Sequence, residues 1–520
     1  MDTIKELIVV LGISIIAFAW LKPIVMQFTG EADYGRRRNL WLVLTCIGFL
    51  SPNIWVYAVL AAPVMIWGAR KDSNPVALYL ILLQVIPPLS VRIPFPGINF
   101  LFDFENYRLL SLCILVPAIF RIRQERDPAE VRSWQGMDLL LLAYGVVQTL
   151  LFVRPDTPTA FLLHDSTTNM MRRLVLFLLD IYVLYYAVSR SCRSKPKIVD
   201  AMAAFCVMCC VMALEAVFES LRHWLLYQAM ALRLSPGDYG AQLAYLMRNG
   251  VLRAQASAGH SLALGYLLAV AFGFWLYLQP HIESKLRRVS VLAVLWAGLL
   301  AAYSRGPWIG AVAIYFVTVA LDPKAFGRMA RAVATVVFLA GVIALTPLGL
   351  RIAAVLPFLG GSVDVGNFDY RQRLASTSWN IILVHPFFGD QDFMSKMQSL
   401  RQGQGIIDLV NTYAGTALEY GLVGLALFVG FMLLGMIKGY AFMVGVRQRD
   451  GDLARLGTCL LASIAGTLLM LYNSSFAFGY EKMFYVLGGL TAAYFSFCSP
   501  QPDVAEVQLS RFPGPAPHAA

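Results

Sequence analysis

Charged residues are scarce in this chain. Asp, Glu, Lys and Arg make up 14% of its 520 residues, whereas 58% of the residues are hydrophobic. A soluble domain has about a quarter of charged residues, so this composition excludes a soluble globular protein. The apolar residues form long blocks between short basic clusters, which is the pattern of a polytopic integral membrane protein.

Cysteine is also sparse, and a nucleotide-binding loop is missing. Most of the eight cysteines lie inside apolar blocks, where a disulfide framework does not form. Cys206, Cys209 and Cys210 have CxxC spacing but no His, Asp or Glu beside them, so we expect them to pack within a helix. No P-loop of the GxxxxGKS/T type is present, so the sequence gives no support to direct ATP hydrolysis, and no cofactor is predicted.

The apolar blocks predict the fold class. Each crossing needs about 20 apolar residues, which predicts an all-α protein with about 15 (13–15) transmembrane helices. The sequences SPN (51–53) and SRGP (304–307) are predicted to be turns of tight hairpins or kinks within longer helices. The predicted spans lie near residues 6–22, 39–51, 53–69, 76–92, 107–122, 137–153, 173–189, 200–222, 258–278, 289–303, 307–321, 332–350, 409–437, 456–474 and 483–498.

The distribution of basic residues predicts the orientation. The formal net charge is +11, and one alternating arrangement puts the short basic connections on a single side, which the positive-inside rule makes cytoplasmic. The long loops near 223–257 and 351–408 then face outwards, while the Pro-rich tail, 499–520, lies inside and is expected to be disordered. Topology thus explains the basic clusters, and no nucleic-acid partner is expected.

Several arginines on the outward face are exceptions to this rule. Arg305 is the most unusual, because it lies between two apolar blocks, where an unpaired guanidinium costs several kcal/mol and marks a substrate or ion pathway. Gly306 and Pro307 are expected to break the helix beside it. The outward arginines are Arg154, Arg172, Arg248, Arg253, Arg305, Arg371, Arg373 and Arg401.

Two interpretations of these arginines are open. Each one is either solvated or paired with an acid of the outer loops, or several of them converge on an anionic ligand. Guanidinium groups bind a diphosphate through planar bidentate hydrogen bonds, so a lipid-linked diphosphate sugar is a candidate ligand. A membrane transporter or flippase is the competing class, since broken helices and buried arginines also suit it.

Four motifs in the second half of the chain carry a family resemblance. SRGPWIG (304–310), DYRQRL (369–374), HPFFG (385–389) and NTYAGTALEYGLVG (411–424) follow one another as in the O-antigen ligase and polymerase superfamily. RAQASAGHSLALGYLL (253–268) resembles an element that many exopolysaccharide polymerases have before the SRG helix. The chain therefore resembles a Wzy-type glycan polymerase over roughly residues 250–430.

The resemblance implies an activity and a location. Such proteins are metal-independent, inverting, GT-C-like glycosyltransferases that move glycans between undecaprenyl-diphosphate carriers at the periplasmic face of the bacterial inner membrane. Polymerisation of lipid-linked repeat units into exopolysaccharide or O-antigen is the predicted function, with O-antigen ligase and protein O-oligosaccharyltransferase as alternatives. The predicted partners are the donor and acceptor glycolipids, the bilayer and, as a further candidate, a chain-length regulator.

The resemblance also divides the chain. It implies an N-terminal transmembrane bundle (1–250), a catalytic region (251–437) with the periplasmic loop 351–408, C-terminal transmembrane helices (438–498) and the tail (499–520). We expect the loop to close over the sugars, because it carries aromatic and polar residues such as Tyr370 and Trp379.

Roles are implied for individual arginines. Arg305 of SRG and Arg371, which precedes HPFFG, match the arginines that hold the diphosphate leaving group of the donor, and Arg373 is an alternative or an assistant to Arg371. The remaining predicted substrate contacts are Arg253, Arg401, Ser304, Tyr370 and Asn411.

The last motif departs from that of the lipopolysaccharide ligases. A His usually precedes its Asn there, and this chain has Val410, so the ligase's candidate base is missing. His260, at the outer end of a predicted helix, is the candidate catalytic imidazole, with helix capping or packing as its other interpretation. Glu419 is a second candidate, and His385 is expected to be structural because Pro and Gly surround it.

Two acidic pairs are candidates for a metal site. Asp103 with Glu105, and Asp390 with Asp392, each put two carboxylates two residues apart. A hard metal ion needs more oxygen ligands than either pair supplies, and pairing with nearby arginines explains the acids equally well. No metal is therefore predicted.

Overall fold

A computed structural model describes most of the chain. The described residues are 2–94, 96, 101–125, 135–151, 167–235, 247–248, 251–322, 327, 330–331, 333–334, 365–401, 407–475 and 479–498. Arg154, the tail 499–520, and most of the predicted span 332–350 and of the first part of the loop 351–408 lie outside them.

The described residues form helices and two short antiparallel hairpins. The helices are α1 (Asp2–Val25), α2 (Glu31–Leu50), α3 (Ile54–Lys71), α4 (Pro75–Leu82), α5 (Asn106–Leu110), α6 (Val116–Glu125), α7 (Gly136–Leu151), α8 (Thr167–Phe177), α9 (Val183–Ser191), α10 (Lys195–Arg222), α11 (Gln228–Leu234), α12 (Ser261–Leu278), α13 (Lys285–Ala301), α14 (Arg305–Ala320), α15 (Val365–Val384), α16 (Phe393–Lys396), α17 (Thr412–Val446), α18 (Gly451–Leu471) and α19 (Glu481–Phe495). Strand β1 (Ser90–Arg92) pairs with β2 (Asp103–Glu105), and β3 (Met247–Arg248) pairs with β4 (Val251–Leu252). One turn of π-helix joins α5 to α6 (Ser111–Leu115) and another joins α8 to α9 (Leu178–Tyr182).

Length and hydropathy identify membrane-spanning helices. Within the described ranges, the helices that can cross a bilayer are Thr3–Val25, Met170–Ser191, Lys195–Arg222, Ser261–His281, Thr412–Val446 and Gly451–Leu471. Gly136–Leu151 and Arg305–Ala320 are shorter apolar helices. The protein is therefore an all-α, multi-pass membrane protein, as the composition predicts. The total of about 15 spans stays a prediction.

One predicted span is interrupted. The interpretation of residues 76–92 as a helix is wrong beyond Leu82, where α4 ends and the chain reaches strand β1. Pro87 and Pro88 explain the difference, because proline has no amide proton and its ring clashes with the preceding helical turn.

The centre of the bundle is formed by α10 and α12, which are buried along most of their length. The Cys206 thiol donates to the Ala271 carbonyl at 3.5 Å, and the Cys209 thiol donates to the Leu267 carbonyl at 3.6 Å. All three cysteines of the CxxC cluster are buried and free, which confirms that they pack between these helices.

Polar contacts group the helix ends into two sets. At one end, Arg37 contacts Asp72 and Asp200, each at 2.7 Å, and Lys195 contacts Asp452 at 2.7 Å. These residues come from connections that the sequence assigns to the same side. The ends of α13, α14, α17 and α18 that the sequence assigns to the other side meet at the opposite end of the bundle, where the candidate site lies.

Candidate functional site

The SRG motif forms a tight turn between two helices. After α13, Tyr303 has a positive φ of 48°, and Ser304 is extended (φ −124°), buried and the N-cap of α14. Arg305 is the first residue of α14, with its side chain partly buried. Because the amides of a helix N-terminus carry partial positive charge, the turn favours an anion beside the Arg305 guanidinium.

The segment that carries Arg253 and His260 lies against this turn. The Ala254 amide donates to the Ala301 carbonyl at 3.1 Å, next to SRG. Gly265 lies against Pro307, and a Cβ atom at position 265 would be only 2.7 Å from the Pro307 ring. The first turns of α12 and α14 are therefore neighbours.

His260 is the N-cap of α12. Its Nδ1 atom accepts a hydrogen bond from the Leu262 amide at 3.2 Å. Desolvation, together with the charge of Arg253, lowers the pKa of His260 to about 4. The ring is thus neutral at pH 7 and carries its proton on Nε2.

The Glu219 carboxylate of α10 binds the backbone of the segment that carries Arg253 and His260. Its Oε2 atom accepts from the amides of Gln255 and Ala256, both at 2.8 Å, and its Oε1 atom accepts from the Leu226 amide at 2.9 Å. Ala256 has a positive φ of 45°, a backbone conformation that is unfavourable for residues other than glycine. The hydrogen bonds to the Glu219 carboxylate stabilise this conformation. Sequence reasoning missed Glu219, although an acid inside an apolar helix is itself a signal.

Asn473 connects Arg371 to the SRG helix. The Arg371 Nη1 atom donates to the Asn473 Oδ1 atom at 3.2 Å. A Cβ on Gly306 would be 3.7 Å from the Asn473 Cβ. Arg371 and the first turn of the SRG helix therefore meet at Asn473, although 66 residues separate Arg305 from Arg371 in the sequence. Sequence reasoning missed Asn473; the polar sequence YNSS after the apolar end of α18 is the signal for it.

The beginning of α17 completes this side of the site. Asn411 caps α17, and its Oδ1 atom accepts from the Tyr413 and Ala414 amides. The Thr412 amide donates to the Ser474 carbonyl at 2.9 Å, next to Asn473. The Tyr370 hydroxyl accepts from the Asp408 amide at 3.0 Å and donates to the Asp408 carbonyl at 3.1 Å. These two hydrogen bonds hold the segment before α17 beside α15.

HPFFG and the end of the last motif interlock. The Leu422 amide donates to the Pro386 carbonyl at 2.8 Å, and the Asp390 amide donates to the Leu418 carbonyl at 2.7 Å. Gly389 and Gly421 both have φ of 67°, and a Cβ on either would meet backbone atoms of the other segment. This contact explains why glycines stand at these two places.

His385 of HPFFG and the acid Asp390 that follows the motif both contact Lys396. Asp390 forms an ion pair with Lys396, and the His385 Nε2 atom lies 3.4 Å from the Lys396 amine. These contacts fit the structural role predicted for His385.

Two predicted arginines lie apart from these contacts. Arg373 is exposed on α15, and its Nε atom bonds the Asp369 carbonyl at 3.4 Å. Two residues along a helix correspond to a rotation of about 200°, so Arg373 and Arg371 face different directions. Arg401 is exposed just after a short helical turn (Gln398–Leu400).

The acidic pairs have ordinary partners. Arg92 lies 3.9 Å from Asp103, Arg108 lies 3.3 Å from Glu105, and Asp390 pairs with Lys396. In the part of the chain that the structure describes, no group of three His, Cys, Asp or Glu residues is arranged to hold a metal ion. The absence of a metal stays a prediction.

A family model confirms the resemblance. Residues 289–429 match the model described as O-Antigen ligase, a range that includes all four motifs from SRGPWIG to NTYAGTALEYGLVG. No curated protein matches the chain. The match begins within α13 and ends within α17, so it contains both Arg305 and Arg371.

Proposed function

We propose that this protein polymerises lipid-linked glycan repeat units. The proposal starts from the similarity of residues 289–429 to the O-antigen ligase family. The donor is a growing chain on undecaprenyl diphosphate, and the acceptor is a newly flipped lipid-linked repeat unit. The reaction takes place at the periplasmic face of the inner membrane. The contact of Asn473 with Arg371, beside the first turn of the SRG helix, is the observation that carries this proposal.

The leaving group is the diphosphate of the donor. Arg305 and Arg371 hold it through bidentate hydrogen bonds, and the positive end of the α14 helix dipole adds partial positive charge. This charge offsets the negative charge that develops on the diphosphate as its bond to the sugar breaks. Arg253, Ser304 and Tyr370 contact the substrate from the segments packed on both sides. Arg401 and Asn411 are further proposed contacts. Arg373 was also predicted to contact the substrate, but it faces away from Arg371 on α15 and has no role in this proposal.

A base has to accept the proton of the attacking sugar hydroxyl. The His260 Nδ1 lone pair is used to cap α12, so His260 acts here as a hydrogen-bond donor through Nε2. Glu419 is held by Arg173 at 2.9 Å and by the Tyr420 hydroxyl at 2.7 Å. Asp408 is therefore the proposed base.

Two features support Asp408 in this role. Its backbone is held by Tyr370, one residue before Arg371. Its side chain retains solvent access, yet desolvation by the surrounding protein raises the pKa of its carboxyl, while the charge of Arg371 partly opposes that rise. In the reaction the hydroxyl oxygen bonds to the anomeric carbon, the diphosphate leaves with the bonding electrons, and Asp408 takes the proton.

Ligation is the second candidate function. The description of the matching family favours it. Val410 favours polymerisation, because it replaces the imidazole that ligases have before the Asn.

The decisive experiment is mass spectrometry of undecaprenyl-linked glycans. A strain that lacks this protein is compared with its parent and with strains complemented by Arg305→Ala or by Arg373→Ala, the exposed control. Accumulation of single repeat units in the deletion and Arg305→Ala strains is expected for a polymerase. Long chains that remain on the carrier indicate a ligase or a protein transferase, and an unchanged carrier pool contradicts glycan transfer and favours a transporter.

A further inference from the structure

A cavity lies at the end of the bundle opposite the candidate site. Its volume is about 660 Å³, within the range of small-molecule pockets. It lies between the C-terminal ends of α12, α14 and α17 and the N-terminal end of α18. The same four helices provide His260, Arg305, Asn411 and Asn473 at their other ends.

The described lining of this cavity combines arginines with apolar residues. It includes three arginines, Arg331, Arg447 and Arg455, and one acid, Asp322. Its apolar residues are Leu276, Tyr315, Val319, Leu321, Ala454 and Cys459. The cavity is therefore amphipathic, with the arginines where the helices end.

Arg447 and Arg455 differ from the buried arginines of the bundle. Arg37, Arg108 and Arg190 each have a carboxylate at 2.7–2.8 Å. Among the residues that the structure describes, no carboxylate lies within salt-bridge distance of Arg447 or Arg455. The Arg447 Nη2 atom donates to the Leu321 carbonyl at 2.8 Å and, more weakly, to the Met443 sulfur at 4.0 Å, and Arg455 is exposed.

The nearest acids in the sequence are engaged elsewhere. Asp452 contacts Lys195 at 2.7 Å and His281 at 3.0 Å. Asp450 caps α18 with its carboxylate and lies 3.9 Å from Lys195. The guanidinium groups of Arg447 and Arg455 therefore keep donors for an anion from outside the chain.

We propose that this cavity binds the phosphate headgroup of an anionic phospholipid from the adjacent leaflet, with an acyl chain against its apolar residues. Guanidinium groups form strong charge-assisted bonds with phosphate, and basic pockets between membrane helices suit anionic headgroups. A bound lipid would join the ends of α12, α14, α17 and α18 and so stabilise the bundle that carries the site. This inference does not depend on the reaction that the protein catalyses.

The test measures lipid binding to the purified full-length chain. Delipidated protein in detergent receives phosphatidylglycerol or phosphatidylcholine with the same acyl chains, and native mass spectrometry counts the adducts while thermal unfolding reports stabilisation. We expect preferential phosphatidylglycerol adducts and a higher Tm with phosphatidylglycerol. The Arg447→Ala/Arg455→Ala variant lacks the two guanidinium groups that form charge-assisted hydrogen bonds with the phosphate. Its affinity for phosphatidylglycerol should be about tenfold lower.

Two controls keep the test informative. Arg449→Ala removes an exposed arginine from the same helix end, outside the cavity lining, and should keep the preference. Arg455→Ala alone loses none of the hydrogen bonds within the described chain, so it should fold normally and still bind less phosphatidylglycerol. Equal binding of both lipids, or an unchanged preference in the double variant, would overturn the proposal. Equal stabilisation by inorganic phosphate would assign the cavity to a soluble anion instead.

Discussion

The direction of the side chain distinguishes Arg371 from Arg373 in the candidate site. Arg371 and Arg373 lie on the same helix, but only Arg371 contacts Asn473, the residue beside the SRG turn. The structure therefore separates two arginines that the motif alone leaves equivalent.

Lysine in place of Arg305 or Arg371 should not preserve activity. Lysine keeps the charge but loses the planar pair of donors, so we expect glycan transfer to fall at least about tenfold. The measurement is the amount of polymer per membrane-inserted protein in complemented strains. Arg373→Lys is the matched control and should stay close to the parent; full activity in both lysine variants would remove the two arginines from the mechanism.

Asp408 should determine the acidic limb of the pH profile. The base works only when deprotonated, and the pKa of Asp408 is raised, so activity should decline as the pH falls through that raised pKa. Asp408→Asn should lower the rate about a hundredfold and abolish this limb, whereas Asp408→Glu should keep a limb at a changed position. Transfer rates in membranes across a pH series check this. A normal profile in Asp408→Asn would mean that another group accepts the proton.

The elements of the site are held together by a few backbone contacts. Glu219 fixes the segment before α12 through the hydrogen bonds that it accepts from the Gln255 and Ala256 amides, and the Gly389–Gly421 contact fixes HPFFG against α17. Neither pair of segments is adjacent in the sequence.

Glu219→Gln should loosen the segment that carries Arg253 and His260. The amide group keeps one acceptor and turns a donor towards amides that are themselves donors, at a cost of about 1–3 kcal/mol. We expect a lower Tm and a larger loss of activity than the lower Tm explains. Glu283→Gln, at an exposed position outside the site, is the control. An unchanged Tm and activity would show that the carboxylate does not position the segment.

Gly421→Ala should disrupt the interlocked motifs. Gly421 has φ of 67° and ψ of −171°, a conformation almost confined to glycine, and a Cβ there would meet the Phe387–Phe388 backbone. The variant is expected to be less abundant and inactive. Gly430→Ala lies in the same helix with no neighbour within 4 Å of its Cβ, and should be as stable as the parent or slightly more stable. Quantitative immunoblotting of membranes and unfolding measurements compare the two.

For the whole molecule, a buried charge network joins distant helices at the end opposite the site. Arg37 of α2 bonds Asp72, after α3, and Asp200 of α10, while Asn74 also donates to Asp200 at 2.9 Å. Arg37 is only 1% exposed, so the network lies in the interior of the bundle.

Arg37→Ala should be among the most destabilising substitutions in the chain. It leaves two buried carboxylates without their guanidinium, which costs about 3–5 kcal/mol. Arg38→Ala is the neighbouring control, since among the described residues the Arg38 side chain donates only to the adjacent Asn39. Thermal unfolding of both purified variants is the check, and equal Tm values would show that the network contributes little.

The sequence by itself determined the membrane class, the approximate positions of most helices and the order of the motifs. Hydropathy, proline positions and basic clusters act over a few residues, so they can be read along the chain. The kind of ligand can also be predicted from local sequence, because an arginine between apolar blocks has few roles other than binding an anion or forming an ion pair.

Only the tertiary structure decided which residues meet. The contact of Arg371 and not Arg373 with Asn473, the place of Asn473 beside the SRG turn, and the support from Glu219 all depend on contacts between helices. The same holds for the cavity at the other end of α14 and α17, whose arginines the topology alone explained as cytoplasmic charge. The physical reason is that packing of buried surfaces sets the rotation and register of each helix, and no local pattern of residues records it.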